Sequence, residues 1–220
     1  DSDSSTALTE DKTQPQAIQI RPAEYADAAE LARIHVLTWQ NQYQNILPAS
    51  FLQGLNIEAR LAAWQKRLAD RQPQEFVFTA LEGEKIRGFC AGGAARSAEV
   101  IHCGEIYALY VEPGYQKRGI GRRLIYRAAA ELARRGCTSL LIWALQANPA
   151  CDFYLRMGGK PVYSKTVEIG SEEYPETGFY WPDLQPLLLQ EKKKALRLFL
   201  FGTGWLRGFA RFAPEMGFSK

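Results

Sequence analysis

The chain has 220 residues, 46% hydrophobic and 23% charged, enough to bury the core of one domain with appendages. The net charge of +3 is unevenly laid out: residues 190–220 hold seven of the 27 Lys and Arg and two of the 24 Asp and Glu, leaving 20 basic and 22 acidic residues before them. That near-neutral body gives no footing for a nucleic-acid-binding core, and no apolar run approaches the roughly 18 residues of a membrane span. Four cysteines without a C-x-x-C pair, beside only two histidines, argue against a metal site. Without an apolar signal segment, reduced thiols in a cytoplasmic protein are the expectation.

In chain order, residues 1–16 are polar and read as a flexible leader. Ala17 to Arg21 predicts a first strand. Asp27 is placed to cap a helix carrying Ala28, Leu31, Ile34, His35, Thr38 and Trp39. Asn56 or Ile57 opens a second helix that ends near Asp70. Glu75 to Leu81 and Ile86 to Ala94 predict a hairpin around Glu82-Gly83-Glu84-Lys85. A strand from Glu105 to Val111 leads into a helix from about Gly121 to Arg135. A strand over Cys137 to Ala144 and a helix after Asn148 follow. Strands near Val162–Ile169 and Thr177–Trp181 close the body, with Pro182 ending the sheet. Strands and helices in this order predict an α/β fold with a mixed sheet flanked by helices.

The segment Gln116-Lys117-Arg118-Gly119-Ile120-Gly121 joins the apolar strand to the long helix. Glycines let a turn gather backbone N–H groups around one point, and the helix start adds its positive dipole end, which together suit a pyrophosphate. A P-loop needs Gly-Lys followed by Ser or Thr, whereas Arg122-Arg123 follows the second glycine here. A dinucleotide fingerprint needs a third glycine where Leu124 stands. What the segment resembles is the Q/R-x-x-G-x-G/A signature of the GNAT acyltransferases. The stretch from Asn148 to Gly159, with Ala150, Phe153, Tyr154 and Gly158, resembles the family's Asn-x-x-Ala…Phe-Tyr-x-x-x-Gly-Phe segment. The likeness extends over about residues 17–182. Gly159 departs from it, standing where the family has Phe, which is expected to weaken the packing of that strand.

The resemblance implies an acetyl-CoA-dependent N-acetyltransferase, with acetyl-CoA as co-substrate, no metal, and a primary amine of a small molecule or protein as acceptor. Its rival is a non-catalytic acyl-CoA-binding or regulatory module on the same fold. By the resemblance, Leu109, Tyr110 and Val111 contact the cofactor through the strand backbone. Gln116, Lys117, Arg118, Gly119, Ile120, Gly121 and Arg122 hold its phosphates, although for the side chains a solvated helix face is the alternative. Tyr154 matches the tyrosine that protonates the departing thiolate. Asn148 either bonds the pantetheine arm or caps a helix before Pro149. Glu105, eleven residues before Gln116, stands at the spacing of the general-base glutamate of histone acetyltransferases, or else is a strand-end carboxylate paired with a cation. Trp39 and Tyr43 fall where the family forms its acceptor wall, or are core aromatics; His35 reads as a packed core histidine.

Residues 183–220 read as a basic, amphipathic helical extension, with Leu198, Phe201, Trp205, Phe209 and Phe212 spaced three and four apart. Docking on the body or on a second subunit of a homodimer, attachment to an anionic membrane surface, and binding a protein partner are its three readings.

Overall fold

The computed structural model describes residues 17–96 and 103–190, so the leader and the tail from 191 onward lie outside the described residues. Seven strands form one sheet in the order β1-β2-β3-β4-β5-β7-β6. They are β1 (Ile18–Pro22), β2 (Phe76–Glu82), β3 (Lys85–Ala94), β4 (Cys103–Val111), β5 (Ser139–Leu145), β6 (Lys160–Ile169) and β7 (Glu172–Trp181). Among the described residues five bounded helices accompany them, α1 (Ala28–Gln42), α2 (Ala49–Gln53), α3 (Ile57–Ala69), α4 (Ile120–Arg134) and α5 (Ala150–Arg156), and residues 185–190 are helical as well. All strand pairs are antiparallel except β4–β5. This is the mixed α/β sandwich expected of the sequence.

The sheet is covered on both faces because its central strands are apolar on both sides: Phe89, Cys90 and Ala91 of β3 are fully buried. On one face lies α4, whose Ile120, Leu124, Ile125, Ala128 and Leu132 form a single stripe packed on Phe78, Ile106 and Leu140. Each large member of that stripe contributes about 1.5–3 kcal/mol by leaving water. Leu184 and Leu187, at the start of the C-terminal extension, are buried in the same cluster, and the Leu184 N–H donates to the Thr138 oxygen at 3.1 Å. On the other face, α1 and α3 bury Leu31, Ile34 and Trp64 against Val77 and Phe89.

Several local expectations are refined. Asp27 does not cap α1; its carboxylate accepts from the Glu24 N–H at 2.8 Å and from Arg21 at 2.6 and 2.8 Å, closing a 3-10 turn over residues 25–27. Asn56 does cap α3, accepting from the Ala59 N–H at 2.8 Å. β7 starts five residues before Thr177, because Glu172–Pro175 pairs with β6 alone, in a largely exposed two-stranded ribbon beyond the reach of β5. Gly159 does not leave a gap. A Cβ there would stand 2.6 Å from the Trp181 ring, so the indole fills the space, and its Nε1 donates to the Met157 oxygen at 3.0 Å.

Candidate active site

The site is built where two parallel strands part. β4 and β5 pair over only Cys103–Ile106 and Ser139–Ile142, after which they separate. On the other edge β4 stays paired with β3, but Ala91 faces Ala108 while Gly92 faces Ile106, so Tyr107 is an inserted residue, a β-bulge. The bulge resets the side-chain alternation: Ile106, Leu109 and Val111 pack toward α4, while Ala108 and Tyr110 face α1. The Glu112 N–H donates to the Arg87 oxygen on β3 at 2.9 Å. By strand alternation the N–H groups of Val111 and Leu109 therefore point to the edge that β5 has left.

The open seam leads into a cavity of about 430 Å³. Its walls are Ile106–Val111 of β4, Ile142–Ala144 of β5, the turn before α4, the start of α5, and Gln42 and Tyr43 at the end of α1. The turn takes its shape from three left-handed residues, Gly114 (φ 86°), Lys117 (φ 59°) and Gly119 (φ 81°), the last of them the N-cap of α4. The first bond into the helix is from the Arg123 N–H to the Gly119 oxygen at 3.1 Å. The N–H groups of Ile120, Gly121 and Arg122 thus open at the positive end of the helix dipole, at the cavity wall. Gln116 steadies the turn, donating from Nε2 to the Val111 oxygen at 3.3 Å.

Twelve sequence-predicted residues line this cavity: Tyr43, Leu109, Tyr110, Val111, Gln116, Lys117, Gly119, Ile120, Gly121, Arg122, Asn148 and Tyr154. Arg118 does not. Its guanidinium lies 4.7 Å over the Tyr115 ring, which the Arg87 guanidinium also contacts, at 3.9 Å. Trp39 is also off the wall; it packs with Tyr43 and Phe51 and donates from Nε1 to the Tyr110 hydroxyl at 2.9 Å. Asn148 is engaged at both ends, its Oδ1 accepting from the Ala150 N–H at 2.8 Å and its Nδ2 donating to the Tyr43 hydroxyl at 2.8 Å. The Tyr154 ring packs on Phe179, and its hydroxyl has no hydrogen-bond partner among the described residues. Burial raises the Tyr154 pKa above that of a free phenol, with Tyr110 and Cys151 adding to the shift, so the group keeps its proton.

Glu105 is 1% exposed and lies off the cavity wall. Its carboxylate accepts from the Arg96 backbone N–H at 2.8 Å and from Arg96 Nε at 3.0 Å, with Nη2 in contact as well. Sequence reasoning did not single out Arg96; nothing in Ala94-Ala95-Arg96 marks it before the strands are paired. His35 is buried against Tyr110, with ring centroids 4.6 Å apart. Burial, helped by Arg60, pushes its pKa down to about 3, so it is a neutral core residue.

Residues 34–159 match the family model described as Acetyltransferase (GNAT) family. The chain belongs to the GNAT family. A curated relative, the uncharacterized N-acetyltransferase YuaI of Bacillus subtilis (strain 168), is 30% identical over 171 residues, covering 77% of this chain and 96% of its own length. Among solved structures, yncA of Salmonella typhimurium, crystallised with acetyl-CoA, has a TM-score of 0.57 at 22% identity, covering 77% of this chain and 95% of its own. The PaiA N-acetyltransferase of Thermoplasma acidophilum, in complex with coenzyme A, has a TM-score of 0.55 at 16% identity, covering 74% of this chain and 98% of its own. At these identities the structural neighbours establish the GNAT fold, while the sequence matches establish the family.

Proposed function

We propose that the protein is an acetyl-CoA-dependent N-acetyltransferase that acts on a primary amine of a small molecule or protein. The observation that carries this reading is the open β4–β5 seam, with an anion-binding helix start at one side and the free Tyr154 hydroxyl at the other. The residues present suit the donor. Backbone N–H groups at Ile120, Gly121 and Arg122, with the Lys117 and Arg122 side chains, fit a pyrophosphate. The two neighbours solved with acetyl-CoA and coenzyme A support the same donor.

Bound acetyl-CoA supplies an acetyl group activated as a thioester. The protein's part is positioning and proton handling. The N–H groups of Leu109 and Val111 are donors for a carbonyl oxygen in the seam. Tyr154 holds the proton that a departing thiolate requires. Glu105 is the carboxylate at the foot of the seam that takes the acceptor's proton once Arg96 leaves it. A lysine amine is neutral to only about 0.04% at pH 7, against about 10–20% for an α-amine, so the need for that base depends on the acceptor.

The test is calorimetric titration with acetyl-CoA followed by thiol release across a broad amine panel. Binding together with release establishes the reading. Binding without release from any amine would leave a non-catalytic acyl-CoA-binding module.

A further inference from the structure

Glu105, the carboxylate at the foot of the seam, is already engaged, and its partner is unlike it in exposure. Glu105 is 1% exposed, whereas the Arg96 side chain that closes over it is 62% exposed. The guanidinium rests 4.5 Å above the ring of Tyr107, which lines the cavity. The same layering recurs two strands away in the sheet. The Glu176 side chain, 17% exposed, is paired at 3.3 Å with Lys165, 44% exposed, whose ammonium lies 4.2 Å over the ring of Trp143, another lining residue. In both places the carboxylate lies beneath and the cation faces outward on an aromatic ring. A ligand that approaches either ring from outside meets positive charge first.

We propose that the acceptor is a zwitterion, an amine with its own carboxylate or similar anionic group close by, which binds by entering the Arg96–Glu105 ion pair. The acceptor's anion takes the Arg96 guanidinium, and its ammonium takes the place of Arg96 on Glu105. This inference rests on the N-acetyltransferase reading and names the substrate class for it.

The exchange keeps every charge paired. Lifting Arg96 away alone would strand a buried carboxylate without a counterion. A plain alkylammonium would neutralise Glu105 but would face the displaced guanidinium as a like charge. A carboxylate beside the amine removes that repulsion, and the planar guanidinium fork matches its two oxygens. With the ammonium against Glu105, one N–H proton passes to the carboxylate oxygen, giving a neutral amine and a carboxylic acid. Arg96 is in this view the residue that selects the acceptor.

The experiment compares α-amino acids with their decarboxylated amines, using the full chain. Two readouts are taken on each pair: acetyl-CoA-dependent thiol release, and the thermal shift produced in the presence of coenzyme A. In the wild type, kcat/KM should favour the carboxylated member by about tenfold or more, and in Arg96→Gln the ratio should fall to within about threefold, chiefly through KM. Should the single variant fail to fold, Arg96→Gln combined with Glu105→Gln restores a neutral hydrogen-bonded pair, and the carboxylate-dependent thermal shift must vanish there too. A preference for the plain amine, a carboxylate preference that survives loss of Arg96, or neither shift nor release with any amino acid overturns the inference. Thiol release from plain amines without dependence on Arg96 would leave the N-acetyltransferase reading standing alone. Arg96-dependent binding without release from any amine would overturn the N-acetyltransferase reading and, with it, the zwitterion's role as acceptor, leaving only a carboxylate-binding site at Arg96.

Discussion

The side-chain amide of Asn148 donates to the Tyr43 hydroxyl at 2.8 Å, across 105 residues of chain. Both side chains are buried at the cavity, so the bond ties the end of α1 to the start of α5 over the seam. Tyr43→Phe removes the acceptor and leaves the amide donor buried. The expected cost is about 1–3 kcal/mol, read as a lower urea midpoint at unchanged m-value. An unchanged midpoint would mean that cavity water satisfies the amide.

Tyr154→Phe keeps the ring packed on Phe179 and removes only the proton donor. Turnover should fall by more than about tenfold while acetyl-CoA affinity changes by less than about twofold. An equal loss of affinity would make the residue structural. Because burial raises the phenol pKa, loss of its proton should not limit kcat below about pH 10.

His35 gives a pH dependence of definite sign. Its pKa in the folded protein is about 3, against 6.5 for the free side chain. Between those values the unfolded chain binds the proton and the folded protein does not, so stability falls as pH drops below 6.5, by up to about 1.4 kcal/mol per pH unit. Urea unfolding of the wild type and His35→Phe from pH 7 to 5, above most carboxylate titrations, should show a flatter slope for the variant. Parallel slopes would count against a buried neutral imidazole.

Gly159→Ala tests the close approach of Trp181. The added Cβ would stand 2.6 Å from the indole, so the ring must move and its bond to the Met157 oxygen is strained. We expect a loss of about 1–3 kcal/mol, as for other overpacked core sites. Trp181→Ala should cost more, about 3–5 kcal/mol, since it empties the space outright. A neutral Gly159→Ala would show that the ring has room to retreat.

The order of strands and helices was legible because α4 carries a clean apolar stripe and β2 and β3 are punctuated by the Gly83 turn. The glycine turn and the Asn148–Tyr154 segment were legible because each is contiguous. What could not be read is contact between distant pieces. The bulge at Tyr107 exists only in the register of β4 against β3, and the partner of Glu105 only in the strand pairing that brings Arg96 beside it. The departure at Gly159 reads as a deficit in the sequence because its complement, Trp181, lies 22 positions later, on the neighbouring strand β7. Short α2 carries too few residues for a periodicity to register.

The parallel junction between β4 and β5 is four residue pairs long, against seven between β3 and β4. Mechanically the sheet is therefore two plates, β1–β4 and β5–β7, joined by a narrow weld. A ligand lodged between the plates acts as a stay across that weld. Amide hydrogen exchange should report it: on donor binding, protection should rise most at Ile142–Leu145 and Tyr107–Val111, the two lips of the gap, and least at the far edges, β1 and β6.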